Sequence, residues 1–156
     1  MSRLLIPLAA AVMMLYSCDR YADDFSDFRS IPPEGWGYYN RLIFDIVPED
    51  SIVTGTLDLV VRHDNDYPFS NLYVEVSTVT PGAPVRRDTV SVELADTYGN
   101  WLGSGLGTSF QKSVRLADRF TVTDSARVSV RHVMRVDPVL HIEQIGLIFK
   151  ADNTSN

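Results

Sequence analysis

The chain has a single cysteine, Cys18. It therefore has no intrachain disulfide partner, and cysteine-based zinc sites lack their ligands. Positive charge is also short: 14 Lys and Arg stand against 20 Asp and Glu, for a formal net charge of −6. No basic stripe with interleaved aromatics occurs, so nucleic acid is not an expected partner. Long apolar runs are missing beyond the first residues, and helical spacing is missing throughout. There is no G-x-S-x-G elbow and no anchored pair of carboxylates of the kind glycoside hydrolysis needs. The three histidines, His63, His132 and His141, show neither helical nor zinc-finger spacing. His132 keeps phase with Val130 and Met134, which marks it as a packed histidine. The expectation from these absences is a non-enzymatic protein without a cofactor or a catalytic metal, a structural calcium being the minor alternative.

What is present begins at the N-terminus. Arg3 precedes an apolar run from Leu4 to Tyr16, broken only by Pro7. The run is too short to span a bilayer core of ~30 Å but suits the h-region of a signal peptide. It ends in Leu15-Tyr16-Ser17-Cys18, a small residue directly before a cysteine, as the lipoprotein signal peptidase requires. Tyr16 is larger than the usual residue at its position. Polar sequence, Asp19-Arg20-Tyr21-Ala22-Asp23-Asp24, follows at once. Cys18 is thus expected to be the lipidated residue, with 1–17 as signal peptide. Cleavage would remove Arg3 and leave residues 18–156 one unit more negative than the precursor. The lipid makes a membrane the first expected partner, and the outer membrane is favoured over the inner.

Residues 18–35 read as a lipidated N-terminus and tether, in which Phe25 and Phe28 are sticky and Pro32-Pro33-Glu34-Gly35 breaks the chain. From residue 36 to 150 the period is two, the signal of half-buried strands. Trp36, Tyr38, Asn40, Leu42, Phe44 and Ile46 share one face, as do Leu57, Leu59 and Val61, then Leu72, Val74 and Val76, then Val90, Val92 and Leu94. Val114 and Leu116 with Phe120 and Val122 give a strand that is a candidate for a split in two; Val128 and Val130 lead another. The apolar parity changes between Leu140 and Ile142 on one side and Ile145, Leu147 and Phe149 on the other, so Glu143-Gln144 is a candidate β-bulge. Turn residues separate the strands: Pro48-Glu49-Asp50, Asp64-Asn65-Asp66, Thr80-Pro81-Gly82 and Thr123-Asp124. The expectation is an all-β protein, an antiparallel β-sandwich of about 7–8 strands with jelly-roll connectivity, ending in a polar tail at 151–156.

Residues 99–107 hold Gly99, Gly103, Gly105 and Gly107 around Trp101. A phosphate-binding glycine loop needs a helix N-terminus behind it, whereas strand is expected here from Phe110 to Leu116. Two readings stay open: a tight loop plugged by Trp101, or a binding loop that presents Trp101 to a partner or a sugar face. Asp64-Asn65-Asp66 resembles the start of a calcium loop without its Gly and distant Glu, and a turn explains it more simply. Arg62 and Arg135, both at strand ends, are either surface charges paired with a loop carboxylate such as Asp96 or anchors facing a partner. Trp36, Tyr38, Tyr39, Tyr67, Tyr98 and Trp101 supply aromatic surface for a second hypothesis, a carbohydrate-binding lipoprotein.

From its signal almost to its C-terminus the chain resembles the gliding motility lipoprotein GldH family. The residues that carry the resemblance are Trp36, Val61-Arg62, Tyr67, Asn71-Leu72, Asp88-Thr89, Leu94-Ala95, Gly99, Gly103, Gly105, Val130, Met134-Arg135, Leu140, Ile142 and Ile145-Gly146. Two departures stand out: His141 where the family usually has Gly, and Ala126-Arg127 where it tends to have Gly and Tyr. The resemblance implies a non-enzymatic component of a gliding machinery that is associated with protein secretion across the envelope. Other proteins of that machinery are the implied partners. The family brings no catalytic residue or cofactor to carry over.

Overall fold

A computed structural model describes residues 24–152. Cys18, the signal peptide and the last residues of the tail lie outside the described residues.

The alternating segments fold as strands, because burying every second side chain is the one way such a pattern can shed its apolar face. Among the described residues there are nine: β1 (Phe25–Ser30), β2 (Leu42–Ile46), β3 (Ile52–Asp64), β4 (Asn71–Val79), β5 (Arg86–Glu93), β6 (Ser104–Leu106), β7 (Ser109–Thr123), β8 (Ala126–His132) and β9 (Ile142–Ala151). They form two antiparallel sheets, β1-β9-β3-β7-β6 and β2-β8-β4-β5. With the short β6 set aside, successive strands are distributed between two four-stranded sheets as in a jelly roll.

The core lies between the sheets. Leu57, Leu59 and Val61 of β3 and Ile145, Leu147 and Phe149 of β9 meet Leu72, Val74, Val128, Val130 and Phe44 from the other sheet, all buried. Each such side chain contributes about 1.5–3 kcal/mol relative to exposure. The outer face of the second sheet is closed by cross-strand ion pairs instead. Asp45 pairs with Arg127 at 2.6 Å and Glu75 with Arg131 at 2.9 Å, each directly opposite in register.

The parity change in the last strand is a bulge. Arg62 faces Gln144 but His63 faces Ile142, so Glu143 is the extra residue. A second irregularity sits in β7, where Leu57 faces Ala117 and Asp58 faces Arg115. β7 is thus one long bulged strand and not two.

Three expectations need correction. Residues 25–30, assigned above to the tether, form β1 along β9. Phe28 lies over Gly146, where an added Cβ would stand 2.3 Å from the ring. Phe25 packs against the core, while Phe28 stays partly exposed over Gly146. Secondly, Trp36 to Ile46 is not one strand. Trp36 makes an isolated bridge to Val139, and Asn40 N–H bonds to Gly37 O at 2.9 Å, so only β2 is extended. The Trp36 indole N–H donates to Asn40 O at 2.7 Å and fixes that turn. Thirdly, the count is nine strands, because β1 and β6 add to the expected set. On the β1–β2 side the sheets are tied by Arg29, which donates to Ile43 O at 3.2 Å and lies 5.3 Å from the Phe44 ring centre.

Candidate functional site

The loops that hold most of the singled-out residues gather at one end of the sandwich, around the last residues of β3. His63 ends the inward row of β3 and is fully buried. Its Nδ1 is 2.8 Å from Asp64 O, and its Nε2 has no hydrogen-bond partner. Its ring is enclosed by Trp101 at 4.5 Å, Tyr67 at 5.6 Å and Phe110 at 5.8 Å between centres. An aromatic cage of this kind accepts the imidazole as a packing element.

The Asp64-Asn65-Asp66 segment is a turn. Asp64 Oδ1 accepts from Asp66 N–H at 2.8 Å, the local bond that makes aspartate a turn former. Asn65 Oδ1 accepts from the Trp101 indole N–H at 3.0 Å. Trp101 is half-buried and bridges to Ala95. It is the plug of the glycine loop, held at its polar end by Asn65 and at its face by His63.

The loop itself is built around Asp96. Its Oδ1 accepts from Tyr98 N–H at 2.8 Å and Asn100 N–H at 2.9 Å, and its Oδ2 accepts from the Asn100 side chain at 2.9 Å. The hydrogen bonds, the Asn100 side chain first, hold the Asp96 carboxyl below the usual carboxylate range. Asp96 is thus committed to its own loop and is not the partner of Arg62 or Arg135. Gly99 lies at the tip of this turn, next to Tyr98, which is 90% exposed. Gly103 has φ 97°, and a Cβ there would stand 2.2 Å from Gln111 O, so no other residue fits. Gly105 of β6 pairs with Phe110 of β7.

The structure separates the two arginines. Arg62, on β3, donates to Gln111 Oε1 of β7 at 2.9 Å. Arg135 follows β8 and borders a small apolar hollow with Phe69, Tyr73 and Met134. Arg62 lies within the first sheet and Arg135 in the loop after the second sheet's β8, and the two share no contact among the described residues.

One grouping escapes sequence reasoning. Asp64, Asp66 and His141 bring their ligand atoms within 4.8 Å of one another. Asp64 Oδ2 is 2.9 Å from His141 Nδ1. Adjacency of β3 and β9 in the sheet creates this meeting, and no spacing in the chain announces it. Two carboxylates and an imidazole are donors suited to a divalent cation. The hydrogen bonds among them account for the arrangement without one.

The aromatic surface is smaller than the sequence suggests. Trp36 and Tyr67 belong to the core. The Tyr67 hydroxyl donates to Asn71 O at 2.9 Å, and burial drives its pKa upward. Tyr39 and Tyr98 remain almost fully exposed.

Fold and loops together define a jelly-roll β-sandwich domain whose loop end is organised by hydrogen-bonded turns around an aromatic plug. The GldH lipoprotein family profile matches residues 24–148, which is nearly all of that domain, and the chain belongs to this family. The gliding motility lipoprotein GldH of Flavobacterium johnsoniae is 31% identical over 98 residues, covering 63% of this chain and 60% of that protein. A gliding motility lipoprotein GldH homolog of Christiangramia forsetii is 25% identical over 152 residues, covering 93% of this chain and 92% of that one. Both relatives are named as lipoproteins and not as enzymes. Among solved structures, a Yersinia pseudotuberculosis-derived mitogen aligns with a TM-score of 0.41 at 8% identity, covering 86% of this chain and 91% of that one. An exo-β-1,3-galactanase from Phanerochaete chrysosporium aligns with a TM-score of 0.39 at 11% identity, covering 83% and 27%. These two likenesses are too loose to bear on function.

Proposed function

We propose that this protein is a non-enzymatic lipoprotein of the cell envelope, anchored through an acylated Cys18 in the outer membrane and working by protein contact within a gliding or secretion assembly. The family match over residues 24–148 carries this reading. The contact surface we assign is the loop from Asp96 to Gly107. Tyr98 is presented at its tip, and Trp101, Gly103 and Gly105 hold it to the sandwich. A rigid scaffold displaying an ordered loop is the usual arrangement for binding by β-sandwiches. Glycan recognition is the weaker reading, since burial of Trp36 and Tyr67 removes two of its six aromatic rings.

The anchor is tested with Cys18→Ala. The variant should lose labelled palmitate and leave the membrane fraction; retention of both would refute the lipid anchor. The assembly is tested by crosslinking in intact envelopes followed by affinity recovery. Envelope proteins should be recovered with the native chain and lost on Tyr98→Ala together with Asn100→Ala. Recovery of no envelope protein under several detergents would refute it.

A further inference from the structure

The sandwich is closed on its β1–β2 side and at its loop end, but not at the opposite corner. There the β5 and β7 edges part, and a cleft of about 540 Å³ opens between the sheets. Leu57, Val76, Val90, Leu116, Ala117 and Phe120 line it, and its surface is mainly apolar. A volume of this size with such a lining is typical of a small-ligand site.

Its borders select the kind of occupant. Among the described residues, β5 and the part of β7 beyond Ser113 are each paired on one side only. A free edge invites an added peptide strand, but both edges carry the features that deter one. β7 is bulged at Leu116, between the paired residues Arg115 and Ala117. β5 follows Pro84 and places Arg86 and Asp88, paired at 2.6 Å, in phase with the inward-facing Val90 and Val92. An apolar occupant with no backbone groups to satisfy fits better than a strand.

The chain brings such an occupant near. Phe25 faces Phe149, Phe149 faces Leu57, and Leu57 faces Ala117. These four residues lie level across the sheet, and the last two line the cleft. Three strand spacings of ~4.8 Å separate the first from the last, or ~14 Å. Asp24 is fixed at this level, because its Oδ1 accepts from Ala151 N–H at 2.9 Å. Cys18 is seven residues from Phe25, a reach of up to ~24 Å in extended chain.

We propose that the cleft seats an acyl chain carried by Cys18 of the same molecule. The proposal rests on the lipoprotein reading above. Seating one chain leaves fewer in the bilayer, and membrane attachment weakens with each acyl chain withdrawn. The cleft thus makes attachment of the domain adjustable.

The test uses the full chain in cells fed a palmitate analogue with an alkyl diazirine near its end. After irradiation the protein is purified and its crosslinks are mapped by mass spectrometry. Label on Cys18 should link to cleft peptides of the same molecule. Val90→Asp and, separately, Ala117→Glu should reduce those links at least fivefold, with Cys18 still labelled and the melting temperature within a few degrees of the parent. The map of the unsubstituted protein decides the matter even where a variant folds poorly. A labelled Cys18 whose links go only to phospholipid, or to another protein chain, overturns the proposal and leaves the anchor standing. Absence of label from Cys18 overturns the anchor itself.

Discussion

Asp64 Oδ2 lies 2.9 Å from His141 Nδ1, and this contact joins β3 to a residue held at φ 66°. A left-handed conformation costs a residue with a Cβ about 1–2 kcal/mol. The carboxylate is the partner that makes histidine tolerable there. Asp64→Ala, which also removes the acceptor of Asp66 N–H, should destabilise the protein by about 1–2 kcal/mol in urea titration. His141→Gly should cost less than half as much, since relief of the backbone offsets the lost bond. Equal losses for both substitutions would contradict this balance.

Phe28 and Gly146 make a second coupled pair, in adjacent strands of the first sheet. Gly146→Ala drives a methyl into the space of the ring, which must swing outward, and should cost about 1–2 kcal/mol as an overpacking defect. Combined with Phe28→Ala it should cost well under the sum of the two single changes. A double-mutant cycle measures this. Additivity would mean that β1 is not seated on β9 as described.

Trp101 acts on stability before it acts on any partner. Trp101→Ala removes a half-buried indole, its bond to Asn65 and its face on His63, and should lower stability by about 2–3 kcal/mol. Tyr98→Ala, at the exposed tip, should change stability by less than ~0.5 kcal/mol. Thermal denaturation of both variants checks the contrast; a neutral Trp101→Ala would show that the plug is not structural.

His132 is buried against Trp36 and Tyr38, with Asp137 3.7 Å from its Nε2 and Arg131 beside it in the chain. Burial holds its pKa below the ordinary histidine value, against the smaller opposing pull of Asp137. The unfolded chain therefore takes up this proton first as pH falls. The associated stability is fully present above pH ~6.5 and is lost on acidification below it. The melting temperature should fall between pH 7 and 5 and fall less in His132→Phe. Asp45, Glu75 and Asp96, whose pKa values are held down by hydrogen bonds from Arg127, Arg131 and Asn100, act only at lower pH, through and below the carboxylate range. A profile for His132→Phe that matches the parent from pH 7 to 5 would exclude the assignment.

Strands were legible where one face is apolar and the other polar, as in Leu72, Val74 and Val76. The bulge at Glu143 was legible too, because an inserted residue reverses parity on everything after it. β1 was not legible, since Phe25-Ser26-Asp27-Phe28 has too few apolar positions to show a period. Its pairing depends on what Gly146 leaves open. Trp36 to Asn40 misled in the opposite direction, as a correct alternation interrupted by a turn that Asn40 and the Trp36 indole close between them.

By itself the sequence determined the class of fold, the inward face of the central strands and the one cysteine available to a lipid, because each is a property of pattern or composition that neighbours in the chain already carry. Tertiary structure alone decided that β1 belongs to the sheet, that Asp64 meets His141, that Trp101 packs on His63, and that a cleft opens between β5 and β7. Those are meetings of residues far apart in the chain, and the order of strands in the two sheets, not local periodicity, sets who stands beside whom.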